Sequence, residues 1–326
     1  MKIQLSAKIA FLSAVLFLCL LLLTGCNNGK PGFIKSKKKV AIVFGGGGAK
    51  SAAQVGVLKR LEELGIRADY VVGTSMGSVI GALYAAGYTA EEIEQLIVED
   101  RDLWIYDRKK IAKLRIGDGR KFTGMITRPH FQQHLDDLLA KKGVHVFSDM
   151  KVPYKCIATS CALTDFQEVV CENGVVARDV TSSISFPGAF VFADNKGKKL
   201  LDGGMMNNLP VDVAKTMKPD VVIAIDLERE DGYFLMDLIG LGLNVAESDP
   251  IAREIIENFS ATKWVKYRPD VTKRKENIAL ADIYIHPNLT NYSIKDYDVK
   301  KIKEMIDIGY NCCLEDDVEE QLKKLK

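Results

Sequence analysis

Residues 71–87 read VVGTSMGSVIGALYAAG and join an apolar, β-like run to an apolar run with helical spacing. At the junction lies Gly73-Thr74-Ser75-Met76-Gly77, which matches the pattern G-x-S-x-G. A strand–turn–helix of this kind exposes a serine hydroxyl at the end of the strand. A serine hydroxyl is a weak nucleophile unless a base lies beside it. The stretch therefore predicts a nucleophile at Ser75 and raises the question of which residue takes its proton.

A second strand–turn–helix unit precedes this one in the chain. Val40–Phe44 is a short β-branched run, and four glycines and the helical stretch AKSAAQVGVLKRLEELG follow it. The glycines would let backbone N–H groups approach a phosphate or an oxyanion, or would simply allow tight packing. A dinucleotide site would need an acidic residue at the end of the second strand, where Gly73-Thr74-Ser75 stands instead. Because neighbouring parallel strands end at one edge of a sheet, we expect the loop to face Ser75.

The remaining sequence alternates between strand-like and helix-like segments. The predicted elements after residue 87 are helices over Glu91–Glu99 and Pro129–Lys141 and strands over Tyr154–Ala158, Phe166–Val170, Val221–Ile225 and Ile283–Ile285. From about Tyr233 the chain reads as mainly helical and ends in a charged helix, Lys295–Lys326. This order predicts an α/β fold with a mostly parallel sheet covered by helices on both faces.

Composition bounds the class of protein. The 326 residues are 47% hydrophobic, which suits one sizeable α/β domain with or without a small extension. The net charge of +2 is too small to indicate a nucleic-acid partner. The seven cysteines contain no C-x-x-C pair, so neither a zinc site nor a disulfide framework is indicated, and buried free thiols are expected.

The N-terminal segment has the pattern of a targeting signal. Lys2 and Lys8 give it a positive start, and the apolar run Ile9–Leu23 is shorter than the roughly 20 residues of a membrane-spanning helix. Leu23-Thr24-Gly25-Cys26 looks like a bacterial lipobox, in which the cysteine is lipidated and becomes the new N-terminus. We therefore expect a signal peptide over 1–25 and a lipidated tether over 26–39, which anchors the protein to a membrane of the bacterial cell envelope. An uncleaved anchor is the alternative.

Histidine is the first class of base to consider for Ser75. His286 follows the strand-like DIYI, and with Asp226 after VVIAI it would give the order Ser, Asp, His of α/β-hydrolases. In that fold, however, the nucleophile turn comes after several strands, whereas here it follows only the second. His130 and His134 lie four residues apart on a predicted helix and are expected on a solvated face.

Aspartate is the second class of base. Asp202 stands in LLDGGMMNNLPVD, residues 200–212, in a turn whose glycines permit unusual backbone angles and close approach. A buried carboxylate with few neighbours has a raised pKa and is a better base. An ordinary Asp-Gly turn is the alternative, and the tripeptide alone does not decide between them.

Three motifs in one order resemble those of the patatin-like phospholipase family: GGGGAKS, GTSMGS and DGGMMNNLP. SSISFPGAF at 182–190 and PNLTNYSIKDYD at 287–298 are similar to further segments of that family, so the resemblance covers roughly residues 40–310. Members of the family are serine acyl hydrolases with a Ser-Asp dyad and no catalytic histidine. The resemblance implies a three-layer α/β/α patatin-like fold, with a catalytic domain over 40–230 and a mainly helical C-terminal extension over 231–326.

The resemblance also implies a role for individual residues. Ser75 would be the nucleophile, and Asp202 the base that activates first the serine and later the water. The oxyanion loop would be Gly46, Gly47 and Gly48, with Lys50 as its basic position. The residues that would support the two turns are Gly73, Gly77, Gly203, Gly204, Asn207, Asn208 and Pro210.

Two residues of the first helix depart from the family pattern. Ser51 replaces the usual glycine, and Gln54 stands where many bacterial members have histidine. Because serine is a favoured N-cap, we expect Ser51 to cap the helix and the backbone donors of the loop to survive.

The function implied by the resemblance is hydrolysis of fatty-acyl esters of (lyso)phospholipids or related lipids at the cell envelope, with no cofactor and no metal. A non-catalytic or acyl-transferring lipoprotein of the same fold is the alternative. The basic and aromatic residues within 100–121 and the apolar stretch 233–247 are candidates for contact with a membrane or an acyl chain, or for a solvated helix and part of the core.

Overall fold

A mostly parallel β-sheet organises the protein. The computed structural model describes residues 38–100, 124–126, 128–162, 165–185, 188–190, 193–195, 198–228 and 269–325. The predicted signal peptide and lipobox, nearly all of the basic segment 100–121 and the apolar segment 233–247 lie outside these residues. No helix in the described ranges is long and apolar enough to cross a bilayer.

The strands of the described residues are β1 Val40–Phe44, β2 Tyr70–Thr74, β3 Gly124–Ile126, β4 Tyr154–Ala162, β5 Asp165–Cys171, β6 Gly188–Phe190, β7 Ala193–Asn195, β8 Lys198–Asp202, β9 Val221–Ile225 and β10 Ile283–Ile285. The α-helices are α1 Ala52–Glu63, α2 Met76–Ala85, α3 Ala90–Glu99, α4 Arg128–Ala140, α5 Val176–Ser183, α6 Val211–Thr216, α7 Pro269–Leu280, α8 Val299–Cys312 and α9 Asp316–Lys323. Short 3-10 turns lie at Gly48–Ser51, Phe147–Asp149 and Gly203–Met205.

The main sheet has the strand order β10-β9-β1-β2-β4-β8-β7, and β5 pairs with β4. The neighbours from β10 to β4 are parallel, whereas β8, β7 and β5 join by antiparallel pairing. A separate parallel pair is formed by β3 and β6. The predicted mostly parallel sheet is therefore confirmed, and its antiparallel part comprises β5, β8 and β7.

Both faces of the sheet are buried against helices. Along β1, Ile42 and Phe44 belong to one hydrophobic core, which includes side chains of α1, α2 and α8. The alternate residues Ala41 and Val43 belong to a second core, built with α6 and bordered by Ile278 of α7. Because successive side chains of a strand point to opposite faces, the two cores define the three layers expected of the fold.

Helix α8 packs on α1 with close backbone contact. A Cβ added to Gly56 of α1 would lie 1.9 Å from the Ile306 carbonyl oxygen, and one added to Gly309 of α8 would lie 1.9 Å from that of Ala53. Only glycine permits such an approach at these two positions. The helix that follows the glycine loop is thus held by a helix near the end of the described chain.

The predicted single helix Lys295–Lys326 is wrong in its bounds. Asp298 caps the start of α8 by accepting a hydrogen bond from the Lys301 amide at 3.0 Å. The chain leaves the helical conformation at Glu315 and begins α9, whose first turn carries acidic residues that a helix N-terminus favours. Local capping therefore divides the charged segment into two helices. Four of the described cysteines, Cys156, Cys171, Cys312 and Cys313, are buried free thiols as predicted.

Candidate active site

Two consecutive residues of β4 bring the ends of β2 and β8 together. Thr74, the last residue of β2, pairs with Ile157, and Asp202, the last residue of β8, pairs with Ala158. Because β5 pairs along β4 through both positions, β2 and β8 share the other edge of β4. Strand β2 runs parallel to β4 and β8 runs antiparallel to it, so the C-terminal ends of β2 and β8 meet. Ser75, directly after β2, therefore lies beside Asp202.

Ser75 occupies a strained turn between β2 and α2. Its φ of 51° and ψ of −133° lie in a region that residues other than glycine rarely adopt. Its amide donates to the Ser183 hydroxyl at 2.9 Å, and its carbonyl accepts from the Ser78 amide at 2.8 Å. Because such strain persists only where the surroundings enforce it, these two bonds help to hold the serine in place.

Ser75 and Asp202 are in direct hydrogen-bond contact. The Ser75 Oγ donates to Asp202 Oδ2 at 2.6 Å, and the Gly204 amide donates to Asp202 Oδ1 at 2.8 Å. Both side chains are buried, with exposures of 7% for Ser75 and 3% for Asp202. The backbone of Asp202 is fixed as well, because its carbonyl accepts from the Thr159 hydroxyl at 2.9 Å.

Burial raises the pKa of the Asp202 carboxyl from 3.8 to about 7, although the hydrogen bonds from Ser75 and Gly204 act in the opposite direction. Its recorded hydrogen-bond donors in the described part of the chain are a hydroxyl and an amide, with no cationic side chain among them. A carboxylate in such surroundings gains a proton readily near neutral pH, which is the property required of a general base.

The glycine loop lies directly beside Ser75. A Cβ added to Gly46 would lie 3.0 Å from the Ser75 Cβ and 2.3 Å from Asn208 Oδ1, so only glycine fits there. The Gly46 amide donates to the Asn208 carbonyl at 3.1 Å and is therefore occupied. Within the described ranges, the amides of Gly47 and Gly48 have no recorded hydrogen-bond acceptor. These two amides are the donors that the loop can offer to an oxyanion.

The residues after the loop differ in what they contribute. Lys50 is buried in the 3-10 turn Gly48–Ser51, and Gln54 donates from Nε2 to the Gly45 carbonyl at 2.7 Å. The expected capping by Ser51 is wrong, because its side chain makes no capping bond and its buried Oγ has no partner in the described chain. Its φ of −61° and ψ of −13° are helical, whereas a capping side chain needs an extended backbone.

The remaining motif residues shape the two turns. Gly73 is the next-to-last residue of β2, and Gly77 lies in the first turn of α2. Gly203 and Gly204 form the 3-10 turn after Asp202. The other three follow in the chain: Asn207 and Asn208 are buried in the next loop, and Pro210 precedes α6.

The structure does not assemble the alternative histidine triad. His286 Nε2 bonds to the Glu228 carbonyl at 2.7 Å, and Asp226 accepts from Arg274 Nε at 2.8 Å. The Ser75 hydroxyl is bonded to Asp202 instead. Across the described residues, no group of three His, Cys, Asp or Glu side chains is placed to hold a metal ion.

Sequence reasoning missed several residues that support the site. Ser183 lies within 182–190, a segment similar to one in the family, but nothing in the surrounding sequence predicts its hydrogen bond to the Ser75 amide. Thr159, Glu228 and Arg274 lie far from both motifs in the chain, and their contacts depend on how the sheet and α7 pack. Only the three-dimensional structure identifies them.

Fold and site together define an α/β protein with a buried serine–carboxylate pair beside a glycine loop. The family model described as patatin-like phospholipase matches residues 42–215, just over half of the chain. The chain belongs to the patatin-like phospholipase family, which confirms the resemblance of its motifs.

Among its relatives, patatin-like phospholipase domain-containing protein 7 of Rattus norvegicus is 30% identical over 280 residues, 83% of this chain and 20% of that protein. Lysophospholipase nte1 of Aspergillus fumigatus is 34% identical over 289 residues, 84% of this chain and 18% of its own. This chain thus spans about a fifth of the length of these two relatives. The crystal structure of VipD from Legionella pneumophila aligns with 88% of this chain and 67% of its own, at 13% identity and a TM-score of 0.44.

Proposed function

We propose that this chain is a serine lipid acyl hydrolase, with Ser75 as the nucleophile and Asp202 as its base. The observation that carries the proposal is the 2.6 Å hydrogen bond from the Ser75 hydroxyl to a buried carboxyl whose pKa is raised to about 7 by its burial. A serine bonded to a group that accepts protons near neutral pH has what nucleophilic catalysis requires.

The proposed reaction has two stages. Asp202 takes the proton of Ser75 as Oγ attacks the ester carbonyl carbon, and the developing oxyanion accepts hydrogen bonds from the Gly47 and Gly48 amides. When the intermediate collapses, the alcohol leaves with the proton from Asp202, and the acyl group remains on Ser75. Water then attacks the acyl-enzyme and gives its proton to Asp202, which returns the proton to Ser75 as the fatty acid leaves.

Fatty-acyl esters of phospholipids or lysophospholipids are the proposed substrates. The family is described as patatin-like phospholipase, and the Aspergillus fumigatus relative is named a lysophospholipase. No cofactor enters the proposed chemistry. We place the enzyme at a bacterial cell envelope, anchored through a lipidated Cys26, on the basis of the Leu23-Thr24-Gly25-Cys26 motif.

The activity is tested with purified protein on mixed vesicles of phospholipid and lysophospholipid, with release of free fatty acid as the readout. Wild type should release fatty acid, and a Ser75→Ala variant shown to be folded should not. A fluorophosphonate probe should label wild type at Ser75 and leave Ser75→Ala unlabelled. Full activity in Ser75→Ala would reject the proposal, and absence of labelling in a folded wild type would favour a non-catalytic role. Transfer of acyl chains to an added alcohol would identify an acyltransferase.

The location is tested separately by mass spectrometry of the mature protein from a bacterial host. We expect a chain that begins at a diacylated Cys26, and a Cys26→Ala variant that accumulates as the unprocessed precursor. An intact N-terminal segment with an unmodified Cys26 in the wild type would contradict the proposed anchor without bearing on the chemistry.

A further inference from the structure

Helix α7 lies outside the residues matched by the family model, yet it carries two buried polar side chains towards the site. Arg274 is 8% exposed and Asn277 is 1% exposed. Burying a guanidinium costs free energy unless it is paired and hydrogen-bonded, so its partners indicate what it does. The partners of Arg274 lie in the segment 226–228, directly after β9.

Arg274 holds this segment at several points. Its Nε donates to Asp226 Oδ2 at 2.8 Å and lies 3.6 Å from Glu228 Oε2, and its Nη2 donates to the Glu228 carbonyl at 3.1 Å. The planar guanidinium therefore joins two carboxylates and a carbonyl at once. The single ammonium of a lysine has a different geometry and cannot reproduce this fork.

Together with Ile225, the last residue of β9, this segment forms the wall behind the glycine loop. The Ile225 carbonyl accepts from the Gly45 amide at 3.0 Å. A Cβ added to Gly47 would lie 2.8 Å from Leu227 Cδ1, which shows how closely that side chain packs on the loop. Displacement of residues 225–228 would therefore displace the loop.

Asn208 makes the second connection between this segment and the loop. Its Nδ2 donates to the Gly46 carbonyl at 3.2 Å and to Glu228 Oε2 at 3.4 Å. The backbone carbonyl of Asn208 accepts from the Gly46 amide at 3.1 Å. Gly46 is thus bonded to Asn208 in both directions. The Glu228 carboxylate in turn orients the side-chain amide that makes one of these bonds.

We propose that Arg274 is a positioning residue for the oxyanion loop, acting through Glu228 and Asn208. The inference rests on the proposed function, because it assigns Gly47 and Gly48 as donors to the oxyanion. Arg274 touches neither the nucleophile nor the base; it fixes the wall and the asparagine that hold the loop beside Ser75. Catalysis by fixed donors depends on their being in place before the charge develops, so a loosened loop lowers kcat.

The central test compares Arg274→Lys, which keeps the charge and loses the fork, with Lys275→Ala at the exposed neighbouring position of α7. Arg274→Lys should lower kcat about 10- to 100-fold, within the range for misplacement of catalytic groups by about 1 Å. KM and the midpoint of the pH–rate profile should stay unchanged, because Arg274 contacts neither Ser75 nor Asp202. Lys275→Ala should match wild type in all three quantities.

A readout independent of activity is amide hydrogen exchange in the peptide Phe44–Ser51. Exchange there should be faster in Arg274→Lys and in Asn208→Ala than in wild type and Lys275→Ala, while peptides of β9 retain their protection. Combining Arg274→Lys with Asn208→Ala should lower kcat less than the product of the two single effects, because both act through the same loop.

The outcomes separate this inference from the proposed function. A folded Arg274→Lys variant with wild-type kcat, in an assay where Ser75→Ala is inactive, would overturn the positioning role alone. Reduced kcat with unchanged exchange in Phe44–Ser51, or independent effects in the double variant, would also overturn it. Wild-type activity in Ser75→Ala would reject the proposed function instead.

Discussion

Two buried aspartates at strand ends, Asp202 and Asp226, share a chemical group and differ in their partners. Asp202 accepts hydrogen bonds from the Ser75 hydroxyl and the Gly204 amide, which are both neutral. Asp226 accepts from the Arg274 guanidinium and from the Tyr284 hydroxyl at 3.0 Å. A cation stabilises a buried carboxylate, whereas neutral donors alone compensate less of its lost hydration. The same residue type therefore serves as a proposed base in one place and as a structural anchor in the other.

The surroundings of Asp226 reinforce this difference. Burial raises the pKa of the Tyr284 hydroxyl, and the nearby Asp226 carboxylate raises it further, so the tyrosine stays protonated and donates. His286, which the alternative triad would pair with Asp226, is bonded to the Glu228 carbonyl. Of these two carboxylates, Asp226 accepts from a cationic side chain, and Asp202, whose recorded donors in the described chain are neutral, is the candidate base.

The substitution with the largest expected effect is Asp202→Asn, which keeps the shape of the side chain and removes the proposed base. We expect ester hydrolysis to fall roughly 10²- to 10⁴-fold, the range of general base catalysis. The double variant with Ser75→Ala should be about as inactive as either single variant, because the two residues act as a unit. Turnover is measured with a soluble acyl ester on proteins matched for folded fraction. Near-normal turnover by Asp202→Asn would remove the base role.

The pH dependence of stability is the next largest effect. The folded-state pKa of Asp202 is raised from 3.8 to about 7, so the unfolded chain loses this proton first as pH rises. Wild-type stability should therefore fall between about pH 4 and pH 7, by roughly 4 kcal/mol from this group in total. Asp202→Asn cannot ionise, so its stability relative to wild type should rise across the same interval. Urea unfolding of both proteins at pH 5 and pH 8 measures the change, and an equal difference at the two pH values would contradict it.

The activity should follow the same titration in the opposite sense. If the ionised form of Asp202 is the base, as proposed, hydrolysis should rise with pH through an apparent pKa near 7 and then level off. The pH profiles of stability and of rate should therefore both reflect the titration of Asp202. If the midpoint of the activity profile lies well away from that of the stability change, a different group controls the rate.

Asp226→Asn tests whether Asp226 is a structural anchor. Removal of one charge from a buried ion pair leaves the Arg274 guanidinium without its closest carboxylate, and we expect a loss of about 3 kcal/mol in the free energy of unfolding. The exposed pair Lys324–Glu320 supplies a matched control, since Glu320→Gln should change stability far less than Asp226→Asn does. Chemical denaturation at one fixed pH suffices, and equal effects of the two substitutions would show that Asp226 is not an anchor.

The smallest expected effect is that of His286→Ala. Its ring nitrogen bonds to a backbone carbonyl and not to the reacting pair, so hydrolysis should stay within about tenfold of wild type, or about 1.4 kcal/mol of barrier. The pH–rate profile should keep its shape. A loss comparable to that of Ser75→Ala in a folded protein would transfer the base role to His286.

The parts of the site that could be predicted from the sequence are those whose determinants are local. The turn at Ser75 was predictable because the strand, the glycines and the following helix all lie within a short stretch. The strand that carries Asp202, KKLLD, has no clear alternation and was not predicted, so the Asp-Gly-Gly turn made Asp202 one candidate base and the resemblance to the family decided in its favour. Arg274 stands in the charged segment KRKEN, where nothing in the sequence separates a buried arginine from a solvated one.

The packing of Gly309 against Ala53 limits how early the surroundings of Ser75 can fold during synthesis. Helix α1 is among the first described elements to be translated, and α8 is among the last. Contacts between residues so distant in the chain close large loops and depend on nearly all of the intervening polypeptide being available. A growing chain therefore contains Ser75 long before it contains the helices that fix the neighbouring loop, and the proposed nucleophile is synthesised well before the surroundings that would make it reactive.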